Sequence, residues 1–222
     1  YNSDGIDLFN CRNVAMKNCF LRDFDDCVVI KGVGGWDEMN NENITVERCV
    51  VWCDWGRNLE IGADTCAPEY RNIIFRDCDC IHGSTVYLDV QHHNYADIHH
   101  VLFDDIRVEY TVDQLPDVYQ HDMTAPFTYE KPVKYPYLAQ IPIVPSGLFS
   151  LDGKNGIAHD IQFKNIQVLT DGDGIPTPKV GFWGTTPQNT VERIMLRKLT
   201  LDGKPFAPVV ETNEFTKDIV IE

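Results

Sequence analysis

The sequence predicts an all-β chain wound as a parallel β-helix, a solenoid in which each coil lies on the one before. Three observations carry that expectation. A short apolar–polar unit recurs along the chain, a second alternating strand follows it in register, and helix-period patterning is scarcely present.

The recurring unit occupies residues 13–19 (NVAMKNC), 43–49 (NITVERC), 72–78 (NIIFRDC), 100–106 (HVLFDDI), 160–166 (DIQFKNI), 193–199 (RIMLRKL) and 218–221 (DIVI). Successive starts are 30, 29, 28, 60, 33 and 25 residues apart. Each unit alternates apolar and polar, the period-2 signature of a strand with one buried face. A coil of about this length, built from short strands, is a solenoid repeat. Strands beginning near Val14, Ile44, Ile73 and Val101 are expected to stack in parallel.

The unit also accounts for the cysteines. The chain has eight, which in an oxidising compartment could form four disulfides. Cys19, Cys49 and Cys78, however, share a column with Ile106, Ile166 and Leu199. A column shared with Ile and Leu faces inward, so these are expected to be core thiols behaving as small hydrophobes. No paired CxxC motifs are present, so no metal site is expected.

The second strand of each coil reads 58–62 (NLEIG) and 87–91 (YLDVQ). With Leu59, Ile61, Leu88 and Val90 inward, Glu60 and Asp89 face outward side by side. They would share that face with Asp25 and Lys31. The double-length interval holds an insertion at 111–145, rich in Pro and Tyr. Proline forbids regular pairing, and such a loop can wall a binding site or pack as a flap.

Two short pieces on the first coils carry the chemistry. Asp4 lies in 2–7 (NSDGID), and Asp25 and Asp26 lie in 23–32 (DFDDCVVIKG), with Asp4 and Asp25 21 residues apart. One turn of a parallel coil returns the chain about 4.8 Å from its start. Asp4, Asp25 and Asp26 should therefore converge on one outer face. Carboxyls so grouped suit glycoside hydrolysis, where one stays protonated as acid and another activates water.

These motifs resemble the polygalacturonase family of glycoside hydrolases. NSDGID is similar to its NTDG motif, DDCVVIKG to its DDCxxIK motif, and 56–62 (GRNLEIG) stands where that family has GHGxxIG. The resemblance covers residues 1–110, and beyond that only the coil pattern persists. It implies a right-handed single-stranded parallel β-helix, the pectin-lyase-like solenoid, and an inverting mechanism. By it Asp25 is the general acid, and Asp4 and Asp26 hold and activate the water. The carboxyls of an inverting pair stand roughly 6.5–9.5 Å apart.

Two departures from the family bear on substrate. Arg57 replaces the motif histidine, and the Arg-Ile-Lys that grips galacturonate corresponds to Tyr87-Leu88-Asp89. A neutral, galactose-type glycan is therefore expected alongside pectin-related substrates. Dextranases and β-helix α-1,3-galactosidases are related scaffolds. In the latter a Glu one coil past the paired Asp is catalytic, as Glu60 would be here. Lys31, Arg57, Tyr87, Asp89 and His92 are expected to bind substrate. Trp36, Trp52, Trp55 and Tyr87 are candidates for sugar stacking. His99 and His100 are expected to be turn residues.

The net charge of −15 and the absence of a basic run argue against nucleic acid and anionic membrane surfaces as partners. No cofactor is expected. The chain opens inside what reads as a coil, so residues 1–222 are expected to be the C-terminal part of one β-helix domain. The family resemblance implies secretion or a periplasmic location. Two other functions fit the same scaffold: a polysaccharide lyase, which would need a calcium cluster and a basic residue, and a non-catalytic glycan-binding β-helix.

Overall fold

A computed structural model describes residues 3–35, 39–110, 117–119, 124, 126, 128–130, 135–145, 154–172 and 174–222. Among these the chain is all-β, and its two large sheets stack coil on coil. One sheet, called here the cleft sheet, runs in the order Ile6–Phe9, Val28–Gly32, Arg57–Thr65, Val86–His92, Tyr137–Pro142, Lys179–Trp183 and Val209–Thr212. All its pairings are parallel.

The back sheet carries the recurring unit. Val14, Ile44, Ile73, Val101, Ile161, Ile194 and Ile219 occupy one register column. The next inward column holds Met16, Val46, Phe75, Phe103, Phe163 and Leu196. Phe75 stacks on Phe103 with centroids 4.8 Å apart, and Phe103 on Phe163 at 5.0 Å. The stack follows from the coil spacing, since identical rings one coil apart meet near van der Waals contact.

Every cysteine is a free thiol, so no disulfide links the coils. Cys49 and Cys78 are fully buried, and burial pushes the Cys78 thiol up to about 12. Cys19 is half-buried, because it packs against the core at the first described coil.

The bends have a repeated backbone cause. The first residue of each unit, Asn13, Asn43, Asn72, His100, Asp160, Arg193 and Asp218, has φ between 53° and 57°. Five residues on, Asn18, Arg48, Asp77, Asp105, Asn165 and Lys198 repeat the conformation at 52° to 56°. Asn and Asp tolerate this left-handed region best among side-chain-bearing residues. The first three coils add an amide ladder, Asn72 Nδ2 to Asn43 Oδ1 at 3.2 Å and Asn43 Nδ2 to Asn13 Oδ1 at 3.1 Å.

The insertion is shorter than its sequence suggests. Tyr137–Pro142, inside the expected 111–145 loop, is a coil strand between Val86–His92 and Lys179–Trp183. Its Leu138, Ala139 and Ile141 are buried in the shared core. Ala139 and Ile141 alternate about Gln140, and the prolines do not interrupt the strand, because Pro136 precedes it and Pro142 ends it. Pairing also occurs within the loop, where Asp117–Tyr119 runs antiparallel to Thr128–Glu130. Most of the rest of the loop, with Asn2 of the first motif and Trp36, lies outside the described residues.

Candidate active site

The cleft sheet puts the acidic motifs together through register. Asp7 pairs Val29, Val29 pairs Glu60, Glu60 pairs Asp89 and Asp89 pairs Gln140. Just before this row, the turn into Val28–Gly32 carries Asp25 and Asp26 beneath the segment that holds Asp4. Gly5 N donates to Asp26 O at 2.8 Å, which fixes the two segments against each other. Asp4, Asp25 and Asp26 each offer a carboxylate oxygen within 4.8 Å of the others.

That separation is closer than the expected 6.5–9.5 Å span. Asp4 sits one coil step of about 4.8 Å from Asp25 and Asp26, which are consecutive on their own coil. An all-oxygen set of this kind suits a hard cation such as calcium. Basic side chains already flank it. Lys31 Nζ lies 2.5 Å from Asp4 Oδ2 and 3.1 Å from Asp7 Oδ2. Arg57 donates its backbone N–H to Asp26 Oδ1 at 2.9 Å, and its guanidinium stands 3.7 Å from the same oxygen.

Gly56 makes this approach possible. A Cβ there would lie 2.5 Å from Asp26 Oδ1 and 2.7 Å from Asp25 Oδ1. The motif position therefore requires a residue without a side chain.

Asp25 is buried, and its pKa is raised to about 6. Burial is the leading cause, followed by the neighbouring charges of Asp26 and then Asp4, against the opposing pull of Arg57 and Lys31. For Lys31, burial opposes the charge, but the Asp4 hydrogen bond and then Asp7 outweigh it and raise the pKa. Burial likewise works against the Arg57 charge, and Glu60, Asp89, Asp26 and Asp25 more than offset it.

Glu60 and Asp89 stand in adjacent register as expected, but neither is a solvated surface group. Glu60 is 1% exposed and Asp89 0%. Burial and then Asp26 push Glu60 up, against the opposing pull of Arg57. Asp89 is raised to about 7 by burial, against Arg57 and Gln140. Arg57 Nε lies 3.4 Å from Asp89 Oδ2, and Gln140 Nε2 donates to that oxygen at 3.0 Å. Gln140 is inconspicuous in the sequence because it sits in the proline- and tyrosine-rich stretch 111–145. Its alternating neighbours Ala139 and Ile141 were the available signal.

Three expected substrate contacts are corrected, Asp89 among them, since it is fully buried against Gln140 and Arg57 and does not reach solvent. Tyr87 is buried beside Tyr110, with its hydroxyl donating to Glu109 O at 2.8 Å, so it offers no stacking face. His92 is fully buried, with Nδ1 2.8 Å from Thr65 Oγ1 and Nε2 2.9 Å from Ala96 O. It ties coils together and does not face the cleft. Trp52 stacks on His82 and bonds Asp54, while Trp55 stacks on Phe24. His99 and His100 lie inside the strand Asp97–Glu109 rather than in a turn, their Nδ1 atoms 2.6 Å apart and His100 with left-handed backbone.

No family model and no curated protein sequence matches the chain. Among solved structures it is similar to a hyperthermoactive exopolygalacturonase from Thermotoga maritima, with a TM-score of 0.60 at 16% identity. The match covers 99% of this chain and 44% of that one, so the chain spans less than half the length of that enzyme. The likeness fixes the fold as the parallel β-helix of polygalacturonases.

Proposed function

We propose that the protein is a glycoside hydrolase, with Asp25 as general acid and Asp4 and Asp26 positioning the attacking water for single displacement with inversion. The observation that carries this reading is the convergence of three carboxylates around one whose pKa is raised to about 6. One carboxyl able to hold its proton, with others beside it to position water, is the arrangement that acid–base hydrolysis of a glycosidic bond requires. Lys31 holds Asp4 and the Arg57 backbone holds Asp26, so each carboxylate is fixed in place. Glu60 stands buried behind them, in register with Asp89.

The substrate in this reading is a neutral, galactose-type glycan, with pectin-related polymers as the competing class. With Asp25 carrying its proton, the acidic groups Asp4, Asp7 and Asp26 still outnumber the cations Lys31 and Arg57 around them, which disfavours a polyuronate. Arg57, 28% exposed, is the cation best placed to meet substrate.

The close carboxylate spacing favours a second stereochemistry, since retaining pairs stand only about 5–5.5 Å apart. A calcium-dependent lyase is the alternative that the oxygen-rich trio supports. Incubation with galactans, dextran and de-esterified homogalacturonan, followed by chromatography and NMR of the first-formed anomer, separates these outcomes. The reading predicts saturated products of inverted configuration from a neutral glycan. Unsaturated, calcium-dependent products would replace it with the lyase, and retained configuration would replace the single displacement. Turnover confined to homogalacturonan would overturn the substrate class.

A further inference from the structure

The cleft sheet continues past Gln140 to a pair of aromatic side chains that neither the acid–base site nor the core uses. On Lys179–Trp183, Val180 and Phe182 are buried, so Lys179, Gly181 and Trp183 face outward. Gly181 pairs Gln140 and so continues the outward row of Glu60 and Asp89. A Cβ on Gly181 would lie 2.5 Å from Trp183 Cζ2 and Cζ3. The benzo edge of the indole therefore lies across the bare Gly181 backbone, and only glycine permits that.

Tyr137 stands at 83° to Trp183, with ring centroids 5.8 Å apart. Its hydroxyl donates to Glu211 Oε2 at 2.6 Å, and Lys179 Nζ holds the other oxygen of Glu211 at 2.9 Å. Both rings are partly exposed, and neither belongs to the hydrophobic core. The result is an aromatic floor, a perpendicular aromatic wall and a polar rim.

We infer that Trp183 and Tyr137 form a distal sugar-binding subsite, which takes one pyranose ring of a glycan lying along the solenoid axis. The inference rests on the proposed glycan-cleaving function. A pyranose offers an apolar C–H face to an aromatic floor, and hydroxyls to rim groups such as Glu211 and Lys179. The register runs Val29, Glu60, Asp89, Gln140, Gly181, four coil steps from the coil of Asp25. At about 4.8 Å per step the corner lies ~19 Å along the axis. A disaccharide bound at the carboxylates cannot span that distance, whereas a longer oligosaccharide can. The enzyme therefore selects polymer over short glycan through Trp183.

The test uses the full chain carrying Asp25→Asn, so that bound glycan is not turned over. Calorimetric titration with a disaccharide and with longer oligomers, from both a neutral galactan and homogalacturonan, measures the length dependence. The expected result is tighter binding of long oligomers, weakened about tenfold by Trp183→Ala with disaccharide binding unchanged. Trp183→Phe should restore most of the difference, and melting curves should match across the variants. Long oligomers bound as tightly by Trp183→Ala would overturn the subsite and leave the proposed function standing. If no oligomer of either series binds, the proposed function fails together with the subsite.

Discussion

Asp25 and Asp89 are carboxyls whose ionisation is opposed mainly by burial, with like-charged neighbours adding to it. For Asp89 the consequence reaches stability. A folded pKa of about 7 lies above the unfolded value, so ionising Asp89 costs stability as pH rises from about 4 through 7. Asp89→Asn should therefore gain stability relative to the parent between pH 5 and 8, read as a melting-temperature difference that becomes more positive with pH. His92 makes the opposite point about location. His92→Leu removes hydrogen bonds to Thr65 and Ala96 and should cost about 1–3 kcal/mol in denaturant unfolding, while leaving KM for any glycan unchanged. A raised KM with intact stability would return His92 to the cleft. The acidic trio was legible in the sequence because its spacing equals one coil and its neighbours alternate. The depth of Tyr87, Asp89 and His92 was not, because it depends on side chains from other coils, such as Tyr110, Gln140 and Thr65.

Among the elements, the coil depends on its two left-handed corners. Asn and Asp fill most of them in the early repeats, whereas Lys198 occupies one at φ 55°. Because a lysine gains nothing from that conformation, Lys198→Asn should stabilise the protein by about 0.5–1 kcal/mol in chemical denaturation. The inward Phe stack works in the other direction. Phe103→Ala removes the central ring between Phe75 and Phe163 and should cost about 3–5 kcal/mol. These strands were readable from alternation alone. Tyr137–Pro142 is hidden because proline and tyrosine content suggests a loop, although Ala139 and Ile141, on either side of Gln140, keep the period of two. That one strand supplies Gln140 to the buried carboxylates and Tyr137 to the aromatic corner, so misplacing it concealed both.

At the scale of the molecule, stacking converts a linear repeat into a row of functional side chains, one from each coil. The row begins with Asp4, Asp25 and Asp26, passes Glu60, Asp89 and Gln140, and reaches Trp183 over Gly181. The back sheet keeps the rows in register by filling the solenoid with Ile, Val, Phe and thiol side chains. In the proposed mechanism Asp25 is the general acid, and its protonated form is the active one. The most direct measurement is the pH dependence of kcat/KM for the parent and for Asp25→Asn, on the glycan that the parent cleaves. The account predicts activity that falls as pH rises through about 6, where Asp25 loses its proton. It also predicts that Asp25→Asn lacks this limb and is about 10²–10⁴-fold slower. An Asp25→Asn protein that keeps both its rate and the same limb would contradict the assignment of Asp25 as the acid.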